Sequence, residues 1–191
     1  MCSDFNNSIS MLIPVFNAGN ELLKILKSLE NIHELGEIIV INDYSDKINK
    51  SFLDSISINK VRVIENTQSK GISGALNSGI KAAIFEYIGR IDSGDICKDK
   101  NRFKKIIDIF SSNKEFNLIC SSLITGKNKI VNPRLHYVSN ILSPFSKVPH
   151  PTWVFKRELI NYQYRCDTYR FEDYAFLIEN KAKIFILPTV D

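Results

Sequence analysis

Apolar residues fall along the chain in two rhythms. Short, nearly continuous runs at Ser8–Val15, Glu37–Ile41, Val61–Ile64, Tyr87–Ile91, Asn117–Ser121 and Lys183–Leu187 have the character of strands covered on both faces. Between them Leu22, Leu23, Leu26 and Leu29 recur at helical spacing, as do Phe103, Ile106, Ile107 and Phe110, each set marking one apolar helix stripe. The pattern predicts helices from Asn20, a capping residue type, to about Asn31, over Lys50–Ile56, Ser73–Ala83 and about Lys100–Ser112, and from Phe171 to about Asn180. Gly74 and Gly79 in the third helix each cost about 1 kcal/mol relative to Ala, a loss that close packing on a sheet would explain. Strand and helix alternate through the first half, which implies an α/β fold with a mostly parallel sheet and right-handed crossovers.

Regularity fades from Leu123 to Val148. Gly126 predicts a hairpin turn, and Ile141–Val148 mixes Pro144 with bulky apolar residues; long irregular segments are usually functional or mobile. His150–Phe155 reads as a strand entry and Arg157–Ile160 as a helical turn. There is no repeat, low-complexity tract or linker, so one domain is expected over residues 1–191, with a first half at about 8–122 and a second at about 123–191.

The 191 residues, 44% hydrophobic and 24% charged, exclude a disordered chain. A net charge of +4 is mildly basic, and the dispersed Lys and Arg give no nucleic-acid signature. Cys2, Cys97, Cys120 and Cys166 form no Cys-x-x-Cys pair, which argues against zinc and for reduced thiols in a cytoplasmic setting. The polar first residues do not look like a signal peptide, and no apolar stretch reaches transmembrane length.

The chemistry gathers where strands break. Tyr87–Ile91 runs into Asp92-Ser93-Gly94-Asp95, and Glu37–Ile41 into Asn42-Asp43-Tyr44-Ser45-Asp46. Acids at the carboxyl edge of a parallel sheet lie where such sheets bind ligands, and Mg²⁺ or Mn²⁺ takes carboxylates completed by substrate phosphates. Equally, Asp, Ser and Gly are what turns and helix caps require. Both readings of Asp92–Asp95 stand on the residues alone.

Six stretches then follow in order: Ile13–Asn17, Ile41–Asp46, Asn66 with Gly71 and Ala75–Ile80, Arg90–Asp95, His150–Thr152 and Phe171–Tyr174. Together they resemble a family 2 glycosyltransferase of the bacterial surface-polysaccharide type, with the GT-A fold, a Rossmann-like single domain. The resemblance covers nearly the whole chain. It implies a nucleotide-diphosphate sugar donor, usually a UDP-sugar, and a divalent metal, Mn²⁺ or Mg²⁺. It places Pro14, Val15, Phe16 and Asp43 around the nucleoside and Asp92 and Asp95 at the metal, although Gly94 stands where the family often has an acid. Arg90 is left to pair with Asp92 or with a phosphate. Asp173 matches the family's general base, with Glu172 the second candidate, although both are also first-turn acids of the kind a helix dipole favours. Attack opposite the leaving nucleotide would invert the anomeric centre. His150 and Trp153 are candidates for acceptor or diphosphate contact. Trp153, Tyr162, Tyr164 and Tyr169 are candidates for an aromatic sugar platform, core packing being the commoner role. The implied acceptor is a glycan or lipid-linked oligosaccharide, with peripheral contact at the inner face of a membrane.

Two rivals fit less well. A nucleotidyltransferase or a Rossmann dehydrogenase would carry a Gly-rich phosphate loop after the first strand, where this chain has Pro-Val-Phe-Asn-Ala-Gly. A non-catalytic or truncated transferase-like module that only binds a nucleotide remains the alternative, motivated by Gly94 and by a chain that stops at Asp191, soon after the expected base.

Overall fold

The computed structural model describes residues 8–95, 97–124, 129–167 and 171–190. Strands β1 (Ile9–Val15), β2 (Leu35–Asn42), β3 (Val61–Glu65) and β4 (Tyr87–Arg90) alternate with helices α1 (Asn20–Leu29), α2 (Lys47–Asp54) and α3 (Ile72–Ala82). All four strands are parallel. Helix α4 (Arg102–Ser112) precedes β5 (Leu118–Ile124), which pairs with the short antiparallel β6 (Ile130–Val131). A two-stranded ribbon, β7 (Tyr137–Val138) and β8 (Ile141–Leu142), leads to β9 (Val154–Lys156), α5 (Glu172–Glu179) and β10 (Ile184–Val190).

The main sheet runs β10-β5-β9-β4-β1-β2-β3. Only β9 within this path is antiparallel to its neighbours, wedged between β4 and β5. Strands from both halves of the sequence therefore share one sheet. Strand order reverses at β1, which has β2 on one side and β4 on the other, and that reversal opens a crevice at the carboxyl edge.

Period-two alternation sorts β1 between two cores. Ile9, Met11, Ile13 and Val15 pack with Leu22, Leu26 and Leu29 of α1 and Phe103, Ile106 and Phe110 of α4. Leu12 faces the other way, with Ile39, Ile41 and Ile88, against Leu76 and Ile80 of α3 and Phe176 and Leu177 of α5. The sheet is thus covered on both faces, the reason its strands read as unbroken apolar runs. Truncating a wholly buried Leu26 to Ala would cost about 2–5 kcal/mol.

Helix boundaries differ from the sequence reading where caps decide them. Asn20 is the first helical residue, not the cap; Gly19 holds that position without a side-chain bond. Helix α2 starts at Lys47 because the Asp46 carboxylate accepts the Asn49 N–H at 2.9 Å. The two glycines of α3 have different causes. A Cβ on Gly79 would come within 3.0 Å of Ile41 and 3.1 Å of Leu12, close packing on the sheet, whereas one on Gly74 would lie 1.8 Å from the Ser69 carbonyl oxygen of the preceding loop. The turn expected at Gly126 lies outside the described residues. Within Leu123–Val148, expected to be irregular, β6 and the β7–β8 ribbon are regular. Among the described residues, no helix is long and apolar enough to cross a membrane.

Candidate active site

Three loops meet at the carboxyl ends of β1, β2 and β4. Val15 O accepts the Asp43 N–H at 2.8 Å, so the loops after β1 and β2 leave the sheet together. Asn17, at φ 50°, accepts the Asp46 N–H and gives its own N–H to Ser45 Oγ, both at 3.0 Å. Pro14 and Val15 are buried strand residues, while Phe16 is 55% exposed. Lys70 Nζ sits 4.5 Å from the Phe16 ring centroid.

Asp43 is buried, and its carboxylate closes the loop that follows β3. Oδ1 accepts from Asn66 Nδ2 at 2.8 Å, and both oxygens accept the Gly71 N–H at 3.0 Å. Gly71, at φ 116°, is the N-cap residue of α3, so Asp43 caps this helix from a distance, where its dipole favours a negative charge. An ionised carboxylate offers about four acceptor sites. Oδ2 keeps capacity for a further donor. Beside it Tyr44, at φ 58° and 52% exposed, anchors its hydroxyl on Gln68 O. Phe16 and Tyr44 thus present two exposed rings next to one carboxylate. Tyr44 and Lys70 were missed in the sequence reading, although an aromatic inside a polar post-strand loop is a usable signal.

After β4 the Asp92–Asp95 turn closes on itself. The Asp95 N–H donates to Asp92 O at 3.0 Å, and the Asp92 N–H to Asp95 Oδ2 at 3.2 Å. Arg90 clamps Asp92 Oδ1 with Nε at 2.9 Å and Nη2 at 2.8 Å, leaving Oδ2 outside the clamp. Burial, and then the Asp92 charge, hold the Asp95 carboxyl above the ordinary carboxylate range. A cation would relieve that repulsion. Among the described residues no cluster of three or more His, Cys, Asp or Glu could hold a metal; an ion at this pair would need phosphate and water to complete its ligands.

His150 lies in a 3₁₀ turn before β9 and is buried. Its Nδ1 is the nearer ring nitrogen to Arg90 Nη1, and Nε2 is 3.0 Å from the same atom and 2.9 Å from Tyr164 Oη. Arg can only donate, so the ring accepts from Arg90, which a neutral imidazole can do and an imidazolium cannot. Burial, reinforced by the Arg90 charge, holds His150 well below the ordinary imidazole value. Tyr164 stacks on Phe176 of α5 at 4.2 Å, and its backbone exchanges two bonds with the Asn77 amide of α3. The Tyr164 hydroxyl is pushed up mainly by burial, with Arg90 opposing and the charges of Asp173 and Glu172 adding to the rise. Asp92, Arg90, His150 and Tyr164 therefore form one polar chain from the acidic turn to the foot of α5.

Glu172 and Asp173 are the first two residues of α5, both partly exposed, and Asp173 Oδ1 accepts the Tyr174 N–H at 2.7 Å. The aromatic expectations need correction. Trp153 is wholly buried, its Nε1–H on Val148 O and its ring 4.2 Å from His150, so it offers no face to an acceptor. Tyr164 is core for the same reason. Exposed Tyr162 gives its N–H to Asn180 Oδ1, a residue at the far end of α5 and about 10 Å from Asp173 by helix rise. Tyr169 lies outside the described residues. His150 contacts Arg90 and Tyr164 from within the fold, where it is buried.

Residues 10–178 match the family model described as glycosyl transferase family 2. The chain belongs to that family. The UDP-Gal:α-D-GlcNAc-diphosphoundecaprenol β-1,3-galactosyltransferase of Escherichia coli is 27% identical over an alignment covering 94% of this chain and 70% of that protein. Among solved structures, Staphylococcus aureus TarS 1-349 in complex with UDP-GlcNAc superposes with a TM-score of 0.74 at 16% identity, covering 96% of this chain and 58% of that one. The mannosyltransferase PcManGT of Pyrobaculum calidifontis, in complex with GDP-Man and Mn²⁺, superposes at 0.67 and 11% identity, covering 98% and 57%. These likenesses establish the GT-A fold. The first three curated relatives extend well beyond this family 2 domain, which spans 31–36% of their lengths.

Proposed function

We propose that the chain is an inverting glycosyltransferase domain. It moves a sugar from a UDP-sugar to a hydroxyl of a glycan or lipid-linked acceptor in bacterial surface-polysaccharide synthesis. The observation that carries this reading is the convergence, at one sheet edge, of an exposed aromatic pair around Asp43, the Asp92–Asp95 turn and the acids that open α5. Asp43 Oδ2 can accept the imide N–H of uracil while Phe16 and Tyr44 cover the ring; Pro14 and Val15 shape the floor from the strand. The UDP-linked substrate in the name of the E. coli relative and the UDP-GlcNAc in the TarS complex support a uridine donor.

Asp92 and Asp95 would hold a Mn²⁺ or Mg²⁺ ion together with the donor's phosphates, as the Mn²⁺ in the PcManGT complex suggests. Such an ion supplies Lewis-acid stabilisation of the departing diphosphate. Arg90 fixes Asp92 in position, and neutral His150 holds Arg90 without adding a second positive charge. Asp173 accepts the proton of the attacking hydroxyl, and Glu172 beside it keeps the region acidic. A hydroxyl activated there attacks the anomeric carbon opposite the nucleotide and inverts it. The test is release of UDP from UDP-sugars offered with undecaprenyl-diphosphate-linked and free glycans. Asp173→Asn is expected to lose turnover by at least about 100-fold while keeping UDP affinity. Donor binding without turnover in the unmodified chain, across all acceptors, would instead favour the non-catalytic reading that Gly94 motivates.

A further inference from the structure

From Phe116 through Arg157 the sequence contains no Asp or Glu, yet carries Lys127, Lys129, Arg134, Lys147, Lys156 and Arg157. The structure folds the middle of this acid-free stretch into a ribbon. Arg134 bridges Lys147, Tyr137 pairs with Leu142 and Val138 with Ile141, and Ser139 and Asn140 make the tip with φ of 50° and 65°. Its apolar residues point largely outward: Tyr137 is 50% exposed, Val138 59%, Ile141 58% and Phe145 81%. Lys129, Arg134 and Lys147 are exposed around its base. Exposed Lys181 and Lys183 line a groove of about 660 Å³ together with Tyr137, Ile141 and Leu177, where Glu115 is the one carboxylate. None of the ion pairs among the described residues includes Arg134, Lys147, Lys181 or Lys183.

Four exposed bulky apolar side chains on one short ribbon are more than water-facing loops ordinarily carry, and mark an interaction site. Cations ringing aromatic and aliphatic side chains are the chemistry that inserts into a negatively charged lipid interface. We propose that the Arg134–Lys147 ribbon docks this domain on an anionic phospholipid bilayer, with Phe145 and Ile141 entering the interface and Arg134, Lys147, Lys181 and Lys183 facing the headgroups. The ribbon is tied to α5, since the Tyr174 hydroxyl donates to Leu142 O at 2.6 Å. Tyr174 follows Asp173 directly. Docking would therefore hold the start of α5 at a fixed height over the bilayer, suited to an acceptor carried on a lipid. The docking itself does not depend on the transfer reading, because it is read without any sugar donor.

The experiment is co-sedimentation of the chain with phosphatidylcholine vesicles, with and without added phosphatidylglycerol, at low and high salt. Binding is expected only with phosphatidylglycerol and is expected to weaken in salt. Lys147→Ala should weaken it roughly fivefold and Phe145→Ser about tenfold. Val138→Ser is the second apolar variant, and thermal melts verify that each variant is folded. Equal binding to both vesicle types, no binding to either, or undiminished binding by Phe145→Ser and Val138→Ser together would overturn the proposal. So would sedimentation velocity showing a dimer that Phe145→Ser dissociates, since a second copy would then cover the ribbon.

Discussion

Acidification from pH 7.5 to 5.5 should destabilise this domain through His150. In the folded protein the imidazole is enclosed by Arg90, Trp153 and Tyr164 and resists protonation. In the unfolded chain it takes up a proton near the ordinary value of about 6.5. The unfolded state therefore binds more protons, and stability rises with pH across the window between the depressed folded value and about 6.5. Below that upper limit the loss approaches about 1.4 kcal/mol per pH unit, and by pH 5.5 it totals roughly 1.4 kcal/mol, relative to total stabilities of about 5–15 kcal/mol. The range lies above the ordinary carboxylate values, and the slope is read in Asp95→Asn as well, because the raised Asp95 acts in the opposite direction. The other two histidines, His33 and His136, are exposed. Urea unfolding at pH 7.5, 6.5 and 5.5 reads this directly, because Trp153 is the only tryptophan and is wholly buried beside His150. His150→Gln can still accept from Arg90 and should flatten the slope. A stability independent of pH in this range, or an unchanged slope in His150→Gln, would refute the neutral, enclosed imidazole.

The acidic turn supports two further tests. Because the folded Asp95 value is raised, its contribution to stability falls as pH rises from about 3.9 through that raised value and stays low above it. Asp95→Asn should thus raise the melting temperature at pH 7.5 while weakening Mn²⁺ binding in the presence of UDP; a lower melting temperature would count against the strained pair. A Cβ on Gly94 meets nothing within 4 Å, so Gly94→Asp should fold normally and strengthen Mn²⁺ binding, because affinity for a hard cation rises with the charge count of its ligands, measured by titration with UDP present. Gly74→Ala should be far more damaging in thermal melts than Gly79→Ala, because its Cβ meets a backbone carbonyl at 1.8 Å while that of Gly79 meets movable side chains at 3.0 Å or more.

Sequence patterning located the sheet because β1, β2 and β4 are covered on both faces, and that double burial leaves an uninterrupted apolar run at each strand. The same runs showed where strands end, and so exposed Asp43 and Asp92 as edge acids. What the residues alone left open was the work these acids already do. Asp43 bonds to Gly71, and Arg90 to His150, 28 and 60 positions away along the chain, separations that no local pattern encodes. Trp153 was misplaced because part of its cover comes from Phe176 of α5, far along the chain, whose ring lies 6.4 Å away. The ribbon was unreadable because its strands are two residues each, too short for periodicity, and its Ser139-Asn140 tip takes left-handed backbone without a glycine to announce it.

The most direct test of the donor site is calorimetric titration of UDP, GDP and dTDP, each with and without Mn²⁺, into the unmodified chain and into Asp92→Ala. The account expects UDP to bind best, Mn²⁺ to tighten it, and Asp92→Ala to remove the Mn²⁺ effect. Failure of all three nucleotides to bind with or without Mn²⁺, or Mn²⁺-dependent UDP binding undiminished in Asp92→Ala, would contradict it.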